Sequence, residues 1–163
     1  MTDPHARRPD LTIGGLRLWV HGRQFPESDD YWDGNWVVVT AQCRAPQSSV
    51  RAEGPIVHLG EIADLLKGCE ALYANLKGSA VLSCMEPSLR AELTAGNLGH
   101  IHLVVSLTPD HLAEQHTFRS ELDQSFLPAV IAGCQGILQQ FPLKGRPEGE
   151  GVEADEPDKV RDG

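Results

Sequence analysis

Apolar and polar residues alternate with a period of two along most of the chain, which is the pattern of β-strands that bury one face. In HIHLVVSL, residues 100–107, aliphatic side chains alternate with polar ones that include His100 and His102. The period changes to that of an amphipathic helix in two segments, 59–76 and 127–141. The pattern therefore predicts the element order β-β-β-α-β-β-β-β-α.

None of the predicted strands is a continuous apolar run, which favours antiparallel strands over a buried parallel sheet. We therefore expect an α+β fold in which a twisted antiparallel sheet of six or seven strands packs with two amphipathic helices. The strands are expected near residues 16–21, 35–44, 49–57, 78–84, 88–94, 100–107 and 114–122.

The length of 163 residues predicts a single folded domain with a segment of different composition at each end. We expect a flexible N-terminal arm over residues 1–12, one α+β domain over 13–145 and a disordered acidic tail over 146–163. Residues 147–163 contain seven acids, two bases and almost no large apolar side chains, so they cannot offset the entropy cost of ordering. They carry more than half of the net charge of −9, which leaves the domain only mildly acidic.

Composition also excludes several classes of partner. Outside Arg7 and Arg8 the chain has no cluster of Lys or Arg, so we expect no nucleic-acid partner. No apolar run approaches the roughly 20 residues that cross a bilayer, and no apolar stretch follows the charged N-terminus as it does in a signal peptide. We therefore expect a cytoplasmic protein without a membrane partner.

The four cysteines point to the same compartment. Each falls on the apolar side of its predicted element, and no two form a C-x-x-C pair. We expect reduced and mostly buried thiols at Cys43, Cys69, Cys84 and Cys134.

Residues that could carry out chemistry are few. The chain has no phosphate-binding loop, no G-x-G-x-x-G and no G-x-S-x-G, so we expect no catalytic residue and no cofactor. His100 and His102 share one face of a predicted strand, and His116 is expected on the adjacent strand. Three imidazoles could bind zinc, so a metal-dependent enzyme remains an alternative.

One loop stands out, the segment FPESDDYWDGNW at residues 25–36, which contains four carboxylates, a tyrosine and two tryptophans. It is either a turn that covers the end of the sheet or a recognition surface. We expect Asp33 to fix the turn through its side chain, Gly34 to supply a permissive backbone and Trp36 to begin a strand. The candidates for binding a partner are then Asp29, Asp30, Tyr31 and Trp32.

Two segments resemble a known family. The stretch RQFPESDDYWDGNWVVVTAQC resembles the signature r-x-F-P … D-x-W-D-x-N-W-l-x-V of bacterial WapI-type immunity proteins. The segment FRSELDQSFLPAVIAGCQGILQQFP, residues 118–142, resembles the closing segment of the same proteins. The resemblance covers residues 14–145 and brings no catalytic residues with it.

The resemblance implies a cytoplasmic, non-enzymatic protein that binds a protein partner, namely a cognate toxin domain such as a nuclease. Toxin nucleases are basic because they bind phosphates, and a face rich in carboxylates suits such a surface. A regulatory or scaffold module that binds another protein is the second interpretation, and the metal-dependent enzyme is the third. The partner, the oligomeric state and the order of the strands do not follow from the sequence.

Overall fold

The computed structural model describes residues 6–147, which form eight strands and three α-helices. Two 3-10 turns lie between them, at Asn97–Gly99 and at Gln124–Phe126. The elements are β1 Leu11–Ile13, β2 Leu16–Arg23, α1 Tyr31–Gly34, β3 Trp36–Ala45, β4 Ser48–His58, α2 Leu59–Asn75, β5 Ser79–Ser83, β6 Leu89–Ala95, β7 His100–Leu107, β8 Thr117–Asp123 and α3 Leu127–Gln140.

The strands form two four-stranded antiparallel sheets, so the expected single sheet of six or seven strands is wrong. The α+β class and the antiparallel pairing are confirmed. In each sheet every strand pairs with its neighbours in sequence, in the orders β1-β2-β3-β4 and β5-β6-β7-β8. Alternation shows which face of a strand is buried but not which strands pair. The 17-residue helix α2, about 25 Å long, connects β4 of the first sheet to β5 of the second.

The two sheets share one hydrophobic core with α2 and α3. β3 and β4 of the first sheet approach β7 of the second, and α2 packs against both α3 and β5. The turn between β1 and β2 lies so close to β7 that a Cβ at Gly14 would be 2.6 Å from Leu103 Cδ2. In β7 the alternation holds as expected, because Leu103 and Val105 are buried while His100 and His102 are exposed.

The first strand begins inside the segment that was expected to be a flexible arm. Leu11 is buried in β1, and the Asp10 carboxylate accepts a hydrogen bond of 2.7 Å from the Val20 backbone N–H. The Trp19 indole N–H donates to the Arg7 carbonyl oxygen at 2.8 Å. Residues 1–5 of the expected arm and residues 148–163 of the expected tail lie outside the described residues.

All four cysteines carry free thiols, and three of them are buried while Cys84 is half-buried. Burial raises the pKa of Cys43 and Cys69 to about 11 and that of Cys134 to about 12. Burial together with the neighbouring Glu61 carboxylate also raises the pKa of Cys84. Within residues 6–147 no helix is both long and apolar enough to cross a bilayer.

Candidate functional site

The loop between β2 and β3 contains a short helical turn, α1, which Asp30 caps. One oxygen of the Asp30 carboxylate accepts hydrogen bonds from the backbone N–H groups of Trp32 and Asp33, both at 3.0 Å. Aspartate is a preferred N-cap residue because its carboxylate pairs N–H groups that have no partner inside the helix. Asp30 therefore fixes the turn, and the expectation that Asp33 does so is wrong.

Gly34 ends this turn and is needed for close packing. A Cβ at this position would lie 2.6 Å from the Ser28 carbonyl oxygen. The backbone of Gly34 does not adopt a positive φ, so its role differs from the permissive backbone that was expected.

Asn35, which is fully buried, connects α1 to the C-terminal segment of the chain. Its side-chain amide donates to the Tyr31 carbonyl oxygen at 2.7 Å and to the Lys144 carbonyl oxygen at 2.8 Å. Its side-chain oxygen accepts from the Lys144 backbone N–H at 2.9 Å and from the Arg23 guanidinium at 3.3 Å. One side chain thus joins the end of β2, the turn α1 and the C-terminal segment, the last of which lies 109 positions away in the chain.

The residues that follow α3 pack onto the same loop. The Lys144 ammonium donates to the carbonyl oxygens of Pro26 at 2.9 Å and Ser28 at 3.0 Å. The Arg23 guanidinium donates to the carbonyl oxygens of Gly34 and Pro142. The two segments that carry the family resemblance therefore form one structural unit, joined at Arg23 and Pro142, which lie 119 positions apart in the chain.

His58, at the end of β4, lies beneath the aromatic side chains of the loop. Its Nδ1 accepts a hydrogen bond of 3.0 Å from the Gly60 N–H, so the ring proton is on Nε2 and is donated to the Tyr31 carbonyl oxygen at 3.1 Å. The centroid of the His58 ring lies 5.0 Å from that of Tyr31, 5.7 Å from Trp32 and 5.3 Å from Trp36. Both ring nitrogens are occupied by backbone groups, so this buried histidine has a structural role.

Glu61 completes the cap of α2 and is also largely buried. Its carboxylate accepts 2.8 Å hydrogen bonds from the backbone N–H groups of His58 and Met85. Burial raises the pKa of the Glu61 carboxyl, while these two hydrogen bonds oppose the shift. Glu61 therefore joins the N-terminus of α2 to the segment that follows β5.

The four residues expected to bind a partner differ in exposure and in function. The Asp29 side chain is 99% exposed, with the Lys144 ammonium 3.9 Å away, and Trp32 is 42% exposed. The Asp30 carboxylate is exposed but caps α1. Tyr31 is half-buried, and its hydroxyl lies so close to Gly60 that a Cβ there would clash with it.

The three histidines of the alternative metal site, His100, His102 and His116, do not come together in the described residues. His102 pairs with Glu121 at 3.2 Å, whereas His116 lies beyond the other end of β7 and contacts Glu114 at 3.4 Å. β7 is eight residues long, which puts roughly 20 Å between its ends. In the part of the chain that the structure describes, no group of three or more His, Cys, Asp or Glu side chains could hold a metal ion. The expected adjacency failed because β8 starts at Thr117 and runs antiparallel to β7.

Four residues that hold the loop in place were not predicted from the sequence: Arg23, Asn35, His58 and Lys144. A buried Asn within a polar loop and a single Lys after the last helix have no distinctive sequence pattern. The capping box His58-x-x-Glu61 was a possible signal, but histidine is not among the usual cap residues. These contacts fix a turn that exposes the Asp29 carboxylate and the Trp32 indole to solvent.

The fold is an α+β domain with two sheets. Hydrogen bonds join the β2–β3 loop to the segment that follows α3. The profile of the immunity protein WapI-like family matches residues 10–142, and the chain belongs to this family. No curated protein and no solved structure matches the chain significantly.

Proposed function

We propose that this protein is a non-enzymatic immunity protein that neutralises a cognate toxin domain by direct binding in the cytoplasm. The observation that carries the proposal is the match to the immunity protein family over residues 10–142. Proteins of an immunity family act on a protein toxin, so the partner that we propose is a protein and not a nucleic acid.

We further propose that the partner binds the surface formed by Asp29, Asp30, Tyr31 and Trp32. Trp32 supports this because a half-exposed indole on a fixed backbone loses little entropy when it is buried at an interface. The carboxylate of Asp29 supports it because it extends fully into solvent, where it can attract a basic surface such as the phosphate-binding face of a nuclease. We assign direct contact with the toxin to Asp29 and Trp32.

Asp30 and Tyr31 hold this surface in place. Asp30 holds the helical turn through its cap, and Tyr31 packs between the turn, His58 and Gly60. A surface that is ordered before binding gains affinity because less conformational entropy is lost in the complex.

The experiment is a protection assay in cells that express a candidate toxin domain, chosen by inspecting the genes that neighbour this one. The test variant Asp29→Asn/Trp32→Ala removes the exposed carboxylate and the indole. The matched control Glu70→Gln/Tyr73→Ala removes a carboxylate and a half-exposed aromatic ring from α2. Each variant is expressed at several levels so that a partial loss of affinity becomes visible.

We expect the wild type and the control to protect the cells and the test variant to need about tenfold or more protein for the same survival, as loss of a central aromatic anchor predicts. If the test variant protects as well as the control at every level, this surface is not the binding site. If the wild type does not protect, the neutralisation of this toxin is itself refuted, and a regulatory or scaffold module becomes the better interpretation.

A further inference from the structure

Among the four sheet edges that the structure describes, β8 is unlike the other three. β1 has only three residues and packs against α3, and β5 has five residues and packs against α2. β4 contains Gly54-Pro55 and a break in register, which are devices that stop an edge from pairing further. β8 has seven residues, contains no Gly or Pro, and pairs with β7 without any break.

The backbone direction of β8 follows from its pairing with β7. The Leu107 N–H donates to the His116 carbonyl oxygen at 3.2 Å, so the polar groups of His116 point toward β7. Because the direction alternates along a strand, the even-numbered residues of β8 also point toward β7. The N–H and C=O groups of Thr117, Arg119, Glu121 and Asp123 therefore point away from the sheet, where residues 6–147 provide no further strand.

We propose that β8 pairs with β8 of a second copy of this chain, antiparallel and around a two-fold axis at Ser120. In this register Arg119 lies opposite Glu121 of the second copy, and Thr117 lies opposite Asp123. The four residues whose backbone groups point outward then lie opposite the same four residues of the second copy. Each of their N–H and C=O groups can therefore form a hydrogen bond across the interface. Closed two-fold pairing of this kind is the commonest symmetry of soluble oligomers.

The charges of the strand TFRSELD select this register over its neighbours. A shift of the axis to Arg119 would place two arginines opposite each other, and a shift to Glu121 would do the same with two glutamates. Like charges directly opposite each other destabilise a strand pair, whereas opposite charges stabilise it. Pairing around Ser120 gives two Arg–Glu pairs and no pair of like charges.

The apolar side chains on the inner face of β8 would also pack against those of the second copy. Phe118 and Leu122 are each half-buried against the core in the single chain. Pairing around Ser120 places Phe118 of one copy opposite Leu122 of the other, twice. Phe118 also lines an open groove of about 480 Å³ between β8 and the β3–β4 hairpin, so apolar surface is accessible beside this edge.

Cysteine cross-linking tests the register. The residue on the axis forms a non-hydrogen-bonded pair with its own copy, with Cα atoms about 4.5 Å apart, which lies within the range of a disulfide. Ser120→Cys should therefore form a dimer bridged through position 120 when Cu(II) is added as a mild oxidant, because the two thiols give two electrons to copper and two protons to the buffer as the S–S bond forms. The control Thr117→Cys lies on the same strand but roughly 20 Å from its own copy, so it should not form a bridge.

A charge exchange tests the pairing without cysteine. Arg119→Glu places Glu opposite Glu121 and should raise the dissociation constant of the dimer about tenfold, measured by light scattering across a concentration series. Arg119→Glu/Glu121→Arg exchanges the two charges within each pair and should restore the wild-type value. Lys67→Glu makes the same charge reversal at an exposed site on α2 and should leave the dissociation constant unchanged.

The proposal is overturned if the wild type is a monomer at every concentration and Ser120→Cys forms no more dimer than Thr117→Cys. It is also overturned if a dimer exists but neither β8 variant changes its dissociation constant. Restoration by the double exchange supports the register, because a variant that had merely lost its fold would not recover when a second residue is changed.

Discussion

Asn35 is the residue on which the local structure of the candidate site depends most. Its side chain has no exposed surface and hydrogen-bonds to Tyr31, Arg23 and Lys144. These partners come from the loop, from β2 and from the C-terminal segment. Removing this side chain would therefore take the partner from the backbone N–H and carbonyl oxygen of Lys144, whereas the Tyr31 carbonyl keeps its bond to His58 and Arg23 keeps its bonds to Gly34 and Pro142.

We predict that Asn35→Ala lowers the free energy of unfolding by about 3 kcal/mol, because buried polar groups that lose their partners cost about 1–3 kcal/mol each and some recover water. Chemical denaturation measures this value. Asn97→Ala, at an exposed position in the turn before β7, is the control and should stay within about 0.5 kcal/mol of wild type. Equal values for the two variants would contradict the role assigned to Asn35.

The buried carboxyl of Glu61 predicts the direction in which the stability of the fold changes with pH. Burial raises the pKa of its carboxyl in the folded protein, so the folded state holds this proton more tightly than the unfolded state does. Stability from this group is therefore fully present below the unfolded pKa of about 4.3 and is lost as pH rises through the higher folded pKa.

We predict that the free energy of unfolding of wild type, relative to Glu61→Gln, falls as the pH is raised from about 4 to about 7. Parallel denaturation series for the two proteins measure the difference, which cancels the titration of all other groups. A difference that stays constant with pH would show that the hydrogen bonds from His58 and Met85 balance burial, and one that rises would show that they outweigh it; either result contradicts the prediction.

At the scale of elements, the sequence predicted the long helices and most strands because their periodicity results directly from burial of one face. It did not predict α1, since a four-residue turn is too short to show a period and depends on the Asp30 cap. It also could not predict that the strands divide into two sheets, because pairing depends on tertiary packing. The exposed pair Asp29 and Trp32 could be selected from position in the loop, but the support from Lys144 could not, because Lys144 lies 116 positions from Ser28, to which it bonds.

The contact between α3 and β1 predicts opposite effects on stability when each of two glycines in α3 is replaced by alanine. A Cβ at Gly133 would lie 2.9 Å from Leu11 Cδ1 and 3.0 Å from the Asp10 carbonyl oxygen, whereas a Cβ at Gly136 would meet open space. Gly136→Ala should stabilise the protein by about 0.5–1 kcal/mol through helix propensity. Gly133→Ala should destabilise it by about 1 kcal/mol or more, because β1 has to move away.

Thermal unfolding of the two variants measures this contrast, with each serving as the control for the other. A similar gain of stability in both would contradict the close packing of α3 on β1. A similar loss in both would contradict the open space beside Gly136.

At the scale of the whole molecule, the β2–β3 loop and the segment after α3 form one surface on a two-sheet core. The family match over residues 10–142 includes the loop and reaches Pro142, whose carbonyl oxygen pairs with Arg23. The proposed binding surface thus lies where the β2–β3 loop meets the C-terminal end of the matched region. The β8 edge is formed by a different sheet, so toxin binding and self-association would use separate parts of the molecule.

The most direct test of the central claim is the association rate with the purified toxin domain, measured as a function of salt. We compare wild type with Asp29→Asn/Asp30→Asn, in which Asn preserves the cap of α1. The control Asp64→Asn/Glu70→Gln removes the same charge from exposed positions of α2. We predict that the loop variant associates about tenfold more slowly at low salt, that the difference shrinks as salt rises, and that the control behaves like wild type. Equal rates and equal salt dependence for the loop variant and the control would contradict the claim that this acidic loop receives the toxin.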